Sequence, residues 1–341
     1  MNIIVLAGGL SDERDVSLSS GAQIANALIK NGHKVLMLDL YLGLKEVKNF
    51  EEAYNKYGES VYDYEVPEVA PDLEELIDKN NGRKNEIGDN IIDICQTADI
   101  VFLGLHGGIG ENGKLQAIFD LYNIKYTGTG YKGGLLAMDK IVSKELMTVN
   151  HILTPEWRIM NNENINTIKA PAVVKPNDNG SSIGVKVVDD QRELLDAITL
   201  SKQYSDTILI EKKIAGREFS VGIIGEKVLP IIELIPKDGF YDYSNKYQPG
   251  ATEEITPANI SDDQTERMQN IALKVFKKLG LEVYGRVDFI MDSNDNIFCI
   301  EANSLPGMTP TSLLPQEAEA HGINYEQLCE MIVTHSLEKY R

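Results

Sequence analysis

The chain has 341 residues, with 33 Lys+Arg against 52 Asp+Glu, a formal net charge of −19. A domain takes roughly 100–200 residues, so this length implies two or three domains, and a composition of 43% hydrophobic and 25% charged residues excludes a disordered chain. The acidic balance excludes general duplex or RNA binding, which needs a basic surface to neutralise phosphates.

In chain order, residues 3–6 form a short apolar run, Gly8-Gly9 breaks it, and residues 17–30 carry a helical pattern that Gly32 ends. Residues 35–40 give a second apolar strand. This is a βαβ unit, and it predicts a parallel sheet. Residues 45–90 are acidic and irregular and are expected as helices or loops on the outside of the domain. Residues 100–105 read as another buried strand, with a glycine-dense stretch at 106–113. A helix near 133–151 leads to two β-rich runs, 172–175 and 183–188. The tip between them, Pro176-Asn177-Asp178-Asn179-Gly180-Ser181-Ser182, predicts an antiparallel pair with a small-residue turn. Strands are expected at 208–211, 218–224 and 228–233, then a polar loop, a helix at 262–279 and a hairpin. The fold class is therefore α/β and α+β: a parallel-sheet domain over residues 1–128, then α+β units over 129–211 and 212–341. Cys95, Cys299 and Cys329 share no CxxC spacing, which argues against a zinc knuckle or a disulfide scaffold. No basic leader and no run of ~20 apolar residues is present, so a soluble cytoplasmic protein is expected.

The most informative segment is 284–303, two apolar strands around Ser293-Asn294-Asp295-Asn296, a turn-forming cluster. An even loop centred between Asn294 and Asp295 sets Asp288 opposite Glu301 and Arg286 opposite Asn303. Side chains alternate with period two, so all four project from one face. Opposed carboxylates repel unless a cation sits between them. Oxygen ligands from Asp, Glu and Asn suit Mg²⁺, which completes its shell with waters and substrate phosphates. The alternative is a solvated strand face, against which the apolar flanks argue.

Phosphates need donors. Lys175 at a strand end, followed by the loop to Ser182, offers an ammonium and exposed amides; alone, the same stretch is also an ordinary hairpin tip. Lys140, in isolation, is equally a solvated helical lysine. The Gly128–Gly133 match to G-x-G-x-x-G lacks the acidic residue that a dinucleotide site needs, and GxxxxGK[ST] is absent. Asp12, Glu13 and Asp15 after Gly8-Gly9 are wrong for a pyrophosphate and right for an ammonium group.

Together these segments resemble the D-alanine–D-alanine ligase family of the ATP-grasp superfamily, through nearly the whole chain. Gly8-Gly9 with Glu13-Arg14-Asp15-Val16-Ser17 resembles the family's first motif, and His106-Gly107-Gly108-Ile109-Gly110-Glu111-Asn112-Gly113 its HGxxGE(D/N)G signature. Lys140 resembles the central-domain nucleotide lysine, and Lys175-Pro176 with Gly180-Ser181-Ser182-Ile183-Gly184 the phosphate-covering loop. Glu211-Lys212 and Glu218 resemble the adenine and ribose contacts. Tyr241-Asp242-Tyr243 with Lys246-Tyr247 resembles the omega loop, and the hairpin with residues 301–313 completes the set.

The resemblance implies a Rossmann-like pre-ATP-grasp domain before a two-domain ATP-grasp fold. It also implies an activity: ATP phosphorylates one D-alanine carboxylate, and the amine of a second D-alanine attacks the acyl phosphate. Asp288, Glu301 and Asn303 would hold two Mg²⁺, with Mn²⁺ as a substitute. Lys140, Lys175 and Ser182 would meet the ATP phosphates. Arg286 and the Gly307 amide would stabilise the oxyanion, where one donor is commonly worth ~10²–10³ in turnover. Glu13 would hold the first ammonium and His106 orient its carboxylate, while Ser181 and Tyr247 bond to Glu13 and close the lid. Ser312, Leu313 and Lys246 would receive the second substrate's carboxylate. A homodimer is implied, with small-molecule substrates and neither nucleic acid nor membrane as partner. The rival is a ligase that takes D-serine or D-lactate second; Tyr247 favours an amine, since lactate-using relatives lack Tyr there. A non-catalytic nucleotide-binding protein on the same fold is disfavoured by Arg286, Asp288, Glu301 and Asn303 occurring together.

Overall fold

Apolar runs that must be buried on both faces take the middle of the first sheet. In the computed structural model, which describes residues 1–67, 69, 71–160, 168–180, 182–237 and 250–341, β1 (Asn2–Ala7) lies between β2 (Lys34–Asp39) and β3 (Ile100–Leu103), all parallel. Ile3, Ile4, Val5 and Leu6 are wholly buried there, as an unbroken hydrophobic strand in a parallel sheet should be. The crossover helix Arg14–Lys30 begins three residues before its apolar pattern, with Glu13 at the N-cap. It packs close because Gly21 faces Ala7, where a Cβ would come within 2.6 Å.

The second sheet has four antiparallel strands, β4 (Trp157–Ile159), β5 (Ala172–Pro176), β6 (Lys186–Val188) and β7 (Ile208–Lys212), in the order β4-β7-β5-β6. The strand expected from residue 183 starts only at Lys186. Gly184 takes φ +73°, with the Tyr204 ring filling the place of its Cβ, so the chain is still turning.

The third and largest sheet runs β11-β10-β8-β12-β13, with β9 beside β8, all antiparallel. Its strands are β8 (Gly216–Ile224), β9 (Lys227–Val228), β10 (Ile232–Pro236), β11 (Thr252–Ile255), β12 (Tyr284–Asp292) and β13 (Ile297–Asn303). The single strand expected at 228–233 is split, because Pro230 has no N–H to give to a ladder. The helix Asp262–Lys278, started by a Ser261–Gln264 capping box, covers one face.

Packing divides the chain differently from its order in sequence. The helix expected near 133–151 breaks at Asp139 into Tyr131–Met138 and Lys140–Val149, and Asp139 caps the second piece by accepting from the Val142 amide. Ala137 and Met147 of these helices join the core of the third sheet with Phe219, Val287 and Phe289, not that of the second. The C-terminal helix Tyr325–Glu338 returns to the first domain, where Leu328, Ile332 and Val333 share a core with Ile24 and Leu28. The acidic stretch also reaches inward, with Phe50 and Ala53 fully buried. Among the described residues no helix is long and apolar enough to cross a membrane.

Candidate active site

The β12–β13 hairpin sets Asp288 opposite Glu301 and Arg286 opposite Asn303. At the turn end the register is one residue different, Phe289 facing Cys299, and a bulge between Asp288 and Phe289 absorbs the offset. Arg286 grips Asp288 with two hydrogen bonds of 2.9 Å. Asp288 also accepts from the Ser220 hydroxyl at 2.7 Å and from the Asn303 amide at 3.0 Å. Ser220 is the β8 partner of Asp288, so three adjacent strands contribute to one carboxylate. Glu301 and Asn303 line a cleft with Lys140, Asn179, Gly180 and Glu111. Among the described residues no three His, Cys, Asp or Glu side chains converge, so the donor set for a cation is two carboxylates and one amide. All three offer oxygen, and a guanidinium already fills the place of positive charge on Asp288. The set fits a hard divalent ion.

Positive charge faces this acidic row. Lys175, on β5, forms a 2.7 Å ion pair with Glu211 of β7, and Lys144 pairs with the other oxygen of the same carboxylate. Burial alone would raise the Glu211 pKa, but Lys144 and Lys175 outweigh it and hold the carboxyl down to about 2. Burial would also lower Lys175, yet Glu211 and Glu301 overcome it and raise its pKa. Burial depresses Lys140 and Lys144. Lys140 starts its helix and donates to the Asn179 carbonyl at 2.5 Å, beside Glu301. The loop after β5 is tied down by Asn177, whose side chain accepts from the Ile141 amide at 2.9 Å and donates to Asp139 at 3.0 Å. The Glu211 carboxylate is thus held by two lysines, Lys175 on one oxygen and Lys144 on the other. Lys212 is exposed beside it, and Glu218 of β8 bears electrostatically on Lys175. Ser182 sits in the loop with φ +60°.

The first domain closes the cleft. Glu13 and His106 are buried, and His106 Nε2 lies 3.0 Å from the Ser20 hydroxyl. Burial lowers the His106 pKa, favouring the neutral ring. Glu111 accepts from the Gly107 amide at 3.0 Å. Burial, then the neighbouring Glu13 carboxylate, push it up to about 8. Glu13 and Glu111 also lie beneath Gly180, so the loop after β5 spans both. Gly8 admits no other residue, since a Cβ there would meet the Asp39 carboxylate at 2.5 Å; that carboxylate is held by Arg14.

At the far end, Ser312 stands at the N-cap position of the helix Leu313–Ala320 in extended conformation, its hydroxyl accepting from the Thr309 amide rather than from the helix. Its hydroxyl lies 2.8 Å from that of Thr309, and within 2.7 Å of where a Gly307 Cβ would stand. The Leu313 side chain packs with Ile232 and Leu234, leaving its backbone amide at the helix start as the polar feature of this residue.

Ser181, Lys246 and Tyr247, with Tyr241-Asp242-Tyr243, lie outside the described residues. Sequence reasoning missed Glu111, Lys144, Asn177 and Glu317. Glu111 sits inside the glycine-dense motif, and Lys144 lies one helical turn beyond Lys140, so both had a local signal. Glu317 had none. It is fully buried on the helix Leu313–Ala320, and burial raises its pKa well above the usual carboxylate range.

Known proteins resemble this chain in both sequence and fold. Residues 2–129 match the family model described as D-ala D-ala ligase N-terminus, and residues 144–334 that described as D-ala D-ala ligase C-terminus. A D-alanine–D-alanine ligase of Pediococcus pentosaceus is 46% identical over 98% of this chain and 97% of its own. The crystal structure of a Bacillus anthracis D-alanine–D-alanine ligase is similar with TM-score 0.74 and 30% identity, covering 99% of this chain and 98% of that one. The B. anthracis ligase complexed with ATP is similar with TM-score 0.73 and 28% identity, covering 99% and 97%. With both halves of its length matched in order, the chain belongs to the D-alanine–D-alanine ligase family.

Proposed function

We propose that this protein joins two D-alanines at the expense of ATP, supplying the dipeptide for peptidoglycan precursors. The observation that carries this reading is the cleft lined by Lys140, Glu301 and Asn303, with Lys175 near enough to feel the Glu301 charge and Asp288 paired with Glu301 across the hairpin. That arrangement suits a triphosphate chelated by a divalent cation. The Bacillus anthracis relative complexed with ATP supports the nucleotide half of the reading.

Asp288, Glu301 and Asn303 would hold Mg²⁺, two ions by family resemblance, with Mn²⁺ as a substitute; when bound, the metal neutralises charge on the transferring phosphoryl group. Lys140 and Lys175 attract and orient the phosphates, under amides of the loop that carries Ser182. Glu211 and Lys212, with Glu218, are the contacts assigned to the adenine and ribose. Glu13 holds the ammonium of the first D-alanine, and neutral His106 orients its carboxylate toward the γ-phosphate. That carboxylate oxygen attacks phosphorus and ADP leaves. The free amine of the second D-alanine then attacks the acyl carbon, loses a proton, and inorganic phosphate departs. Arg286 and the Gly307 amide face the developing oxyanion. The amides at the start of the Leu313–Ala320 helix, with Ser312, receive the second carboxylate. Ser181 and Tyr247 complete the lid in this reading, which excludes water that would hydrolyse the acyl phosphate, and Lys246 meets the second substrate's carboxylate. The three functional units are residues 1–128, 129–211 and 212–341, with the helices of 131–149 packed on the last unit and the helix of 325–338 on the first, in a cytoplasmic homodimer that acts on small molecules and needs no nucleic acid or membrane.

The test is ADP release with D-alanine as sole amino acid, against L-alanine, D-serine and D-lactate in parallel. D-Alanyl-D-alanine is expected as the main product, with no turnover of L-alanine. Preferential formation of a mixed product with D-serine or D-lactate as the second partner would overturn the assignment.

A further inference from the structure

A carboxylate with no cation in contact is expensive to bury, and this fold keeps one beside its active-site arginine. Glu317 has no exposed surface; among the described residues no side chain bonds to its carboxylate, and only the nearby Gly222 amide and the Arg286 charge ease its burial. Its Oε2 stands over Gly222, 2.4 Å from where a Cβ would be, so only glycine leaves room for it. Gly222 is the strand partner of Arg286, and Ser220 that of Asp288. Paired residues and residues two apart share a face, so Glu317 sits on the same side of the sheet as Arg286 and Asp288. Glu111 and Glu254 also feel the Arg286 charge, and each has a hydrogen bond of 3.0 Å or less, Glu111 from the Gly107 amide and Glu254 from the Gln316 side chain.

Arg286 is bidentate on Asp288, and with Ser220 and Asn303 also donating, the acceptor sites of both oxygens are taken. A divalent cation can bind there only as one of these donors withdraws. We propose that Glu317 is the second seat of Arg286: as the cation takes Asp288, the guanidinium moves to Glu317, which frees the metal ligand and keeps the positive charge at the cleft. Glu317 is then a positioning residue, acting through Arg286. The inference rests on the metal reading given above for Asp288 and Glu301.

The experiment titrates Mn²⁺ against the full-length protein in the presence of ADP, following free Mn²⁺ by electron paramagnetic resonance, alongside thermal melts without metal. Asp288→Ala is the control for the metal reading and Glu317→Gln the test of the switch. The expected result is loss of the ion in Asp288→Ala, and binding weakened about tenfold in Glu317→Gln, the scale typical of groups that orient metal ligands. The melting temperature of Glu317→Gln without metal should be unchanged or higher, because a desolvated charge has gone. If Asp288→Ala loses the ion while Glu317→Gln binds within about twofold of the parent, the switch is overturned and the metal reading stands. If Asp288→Ala binds like the parent, the metal reading fails and the switch with it. A lower melting temperature in step with weaker binding makes Glu317 structural only and overturns the assignment. Should Glu317→Gln not fold, a crystal structure of the unaltered protein with ADP and Mg²⁺ decides: Arg286 hydrogen-bonded to Glu317 supports the switch, and Arg286 still bidentate on Asp288 overturns it.

Discussion

The two sheets that face the cleft handle buried charge in opposite ways. On the four-stranded sheet, one carboxylate, Glu211, is held between two ammonium groups, Lys144 and Lys175, so the wall keeps net positive charge. On the large sheet, Arg286 pairs with Asp288 while Glu301 stands directly across the hairpin, so the wall keeps net negative charge. Neither cluster is a neutral ion pair of the kind that merely fills a core. Each is left unbalanced toward the cleft, and the imbalances have opposite sign. A ligand that satisfies both must carry an anionic and a cationic pole at short range, as a metal-chelated triphosphate does.

The sharpest way to break this contrast is on the acidic wall. Glu301→Gln removes one of two opposed carboxylates, and ADP release is expected to fall by about 10³ or more, since the metal supplies much of the charge stabilisation in phosphoryl transfer. Circular dichroism and thermal melts should remain near the parent's, because Glu301 is half-buried and repelled by Asp288. The lysine wall should respond the other way, in stability before rate. Glu211→Gln strands two buried ammonium groups side by side, and urea unfolding at neutral pH should show a loss of about 3–5 kcal/mol. The same cluster fixes an acid limit. The folded pKa of Glu211, about 2, lies below its ordinary value of 4.5, so its stabilisation is complete above pH 4.5 and is lost as pH falls toward 2. Urea midpoints measured down through that window should drop in the parent and flatten in Glu211→Gln.

Glu111, between the walls, has the opposite sign. Its folded pKa, about 8, lies above its ordinary 4.5, so the folded protein holds the proton more tightly and stability declines as pH rises from 4.5 through 8. Glu111→Gln should remove part of that decline, read as a smaller drop in melting temperature between pH 6 and pH 8.5.

The acidic wall was legible in the sequence because a hairpin is a local object. Turn chemistry and period-two alternation fix which side chains share a face, and Asp288 opposite Glu301 follows from them. The bulge beside Asp288 was not legible, since an extra residue in one strand leaves the alternation of each strand intact as written. The lysine wall was only half legible. Lys175 stands out at a strand end, but Lys144 lies in an ordinary helical stretch, and its partner Glu211 is remote in sequence. Glu317 shows the limit more plainly: a glutamate on a helix reads as a solvated residue, yet it is buried against Gly222 of β8, remote in sequence. Residues joined by tertiary packing leave no spacing to read.

The smallest effect is expected where the two walls are held in register. Asn177 ties the loop after β5 to the start of the Lys140–Val149 helix, accepting from the Ile141 amide and donating to Asp139, while its own carbonyl accepts from the Lys140 amide at 3.2 Å. Asn177→Ala keeps the backbone bond but strands the buried Ile141 amide, a cost of about 1–3 kcal/mol. Lys140 then loses its fixed place against the phosphates, so KM for ATP should rise about fivefold with kcat little changed, because the lost interaction is one of uniform binding. Asn177→Asp separates this from simple loss of packing. It keeps the acceptor for Ile141 yet sets a carboxylate against Asp139, and like charges at hydrogen-bond distance repel. If the bond to Asp139 positions the loop, the aspartate variant is the worse of the two in KM despite being the nearer in shape, and a better KM than alanine would show that Ile141 alone matters.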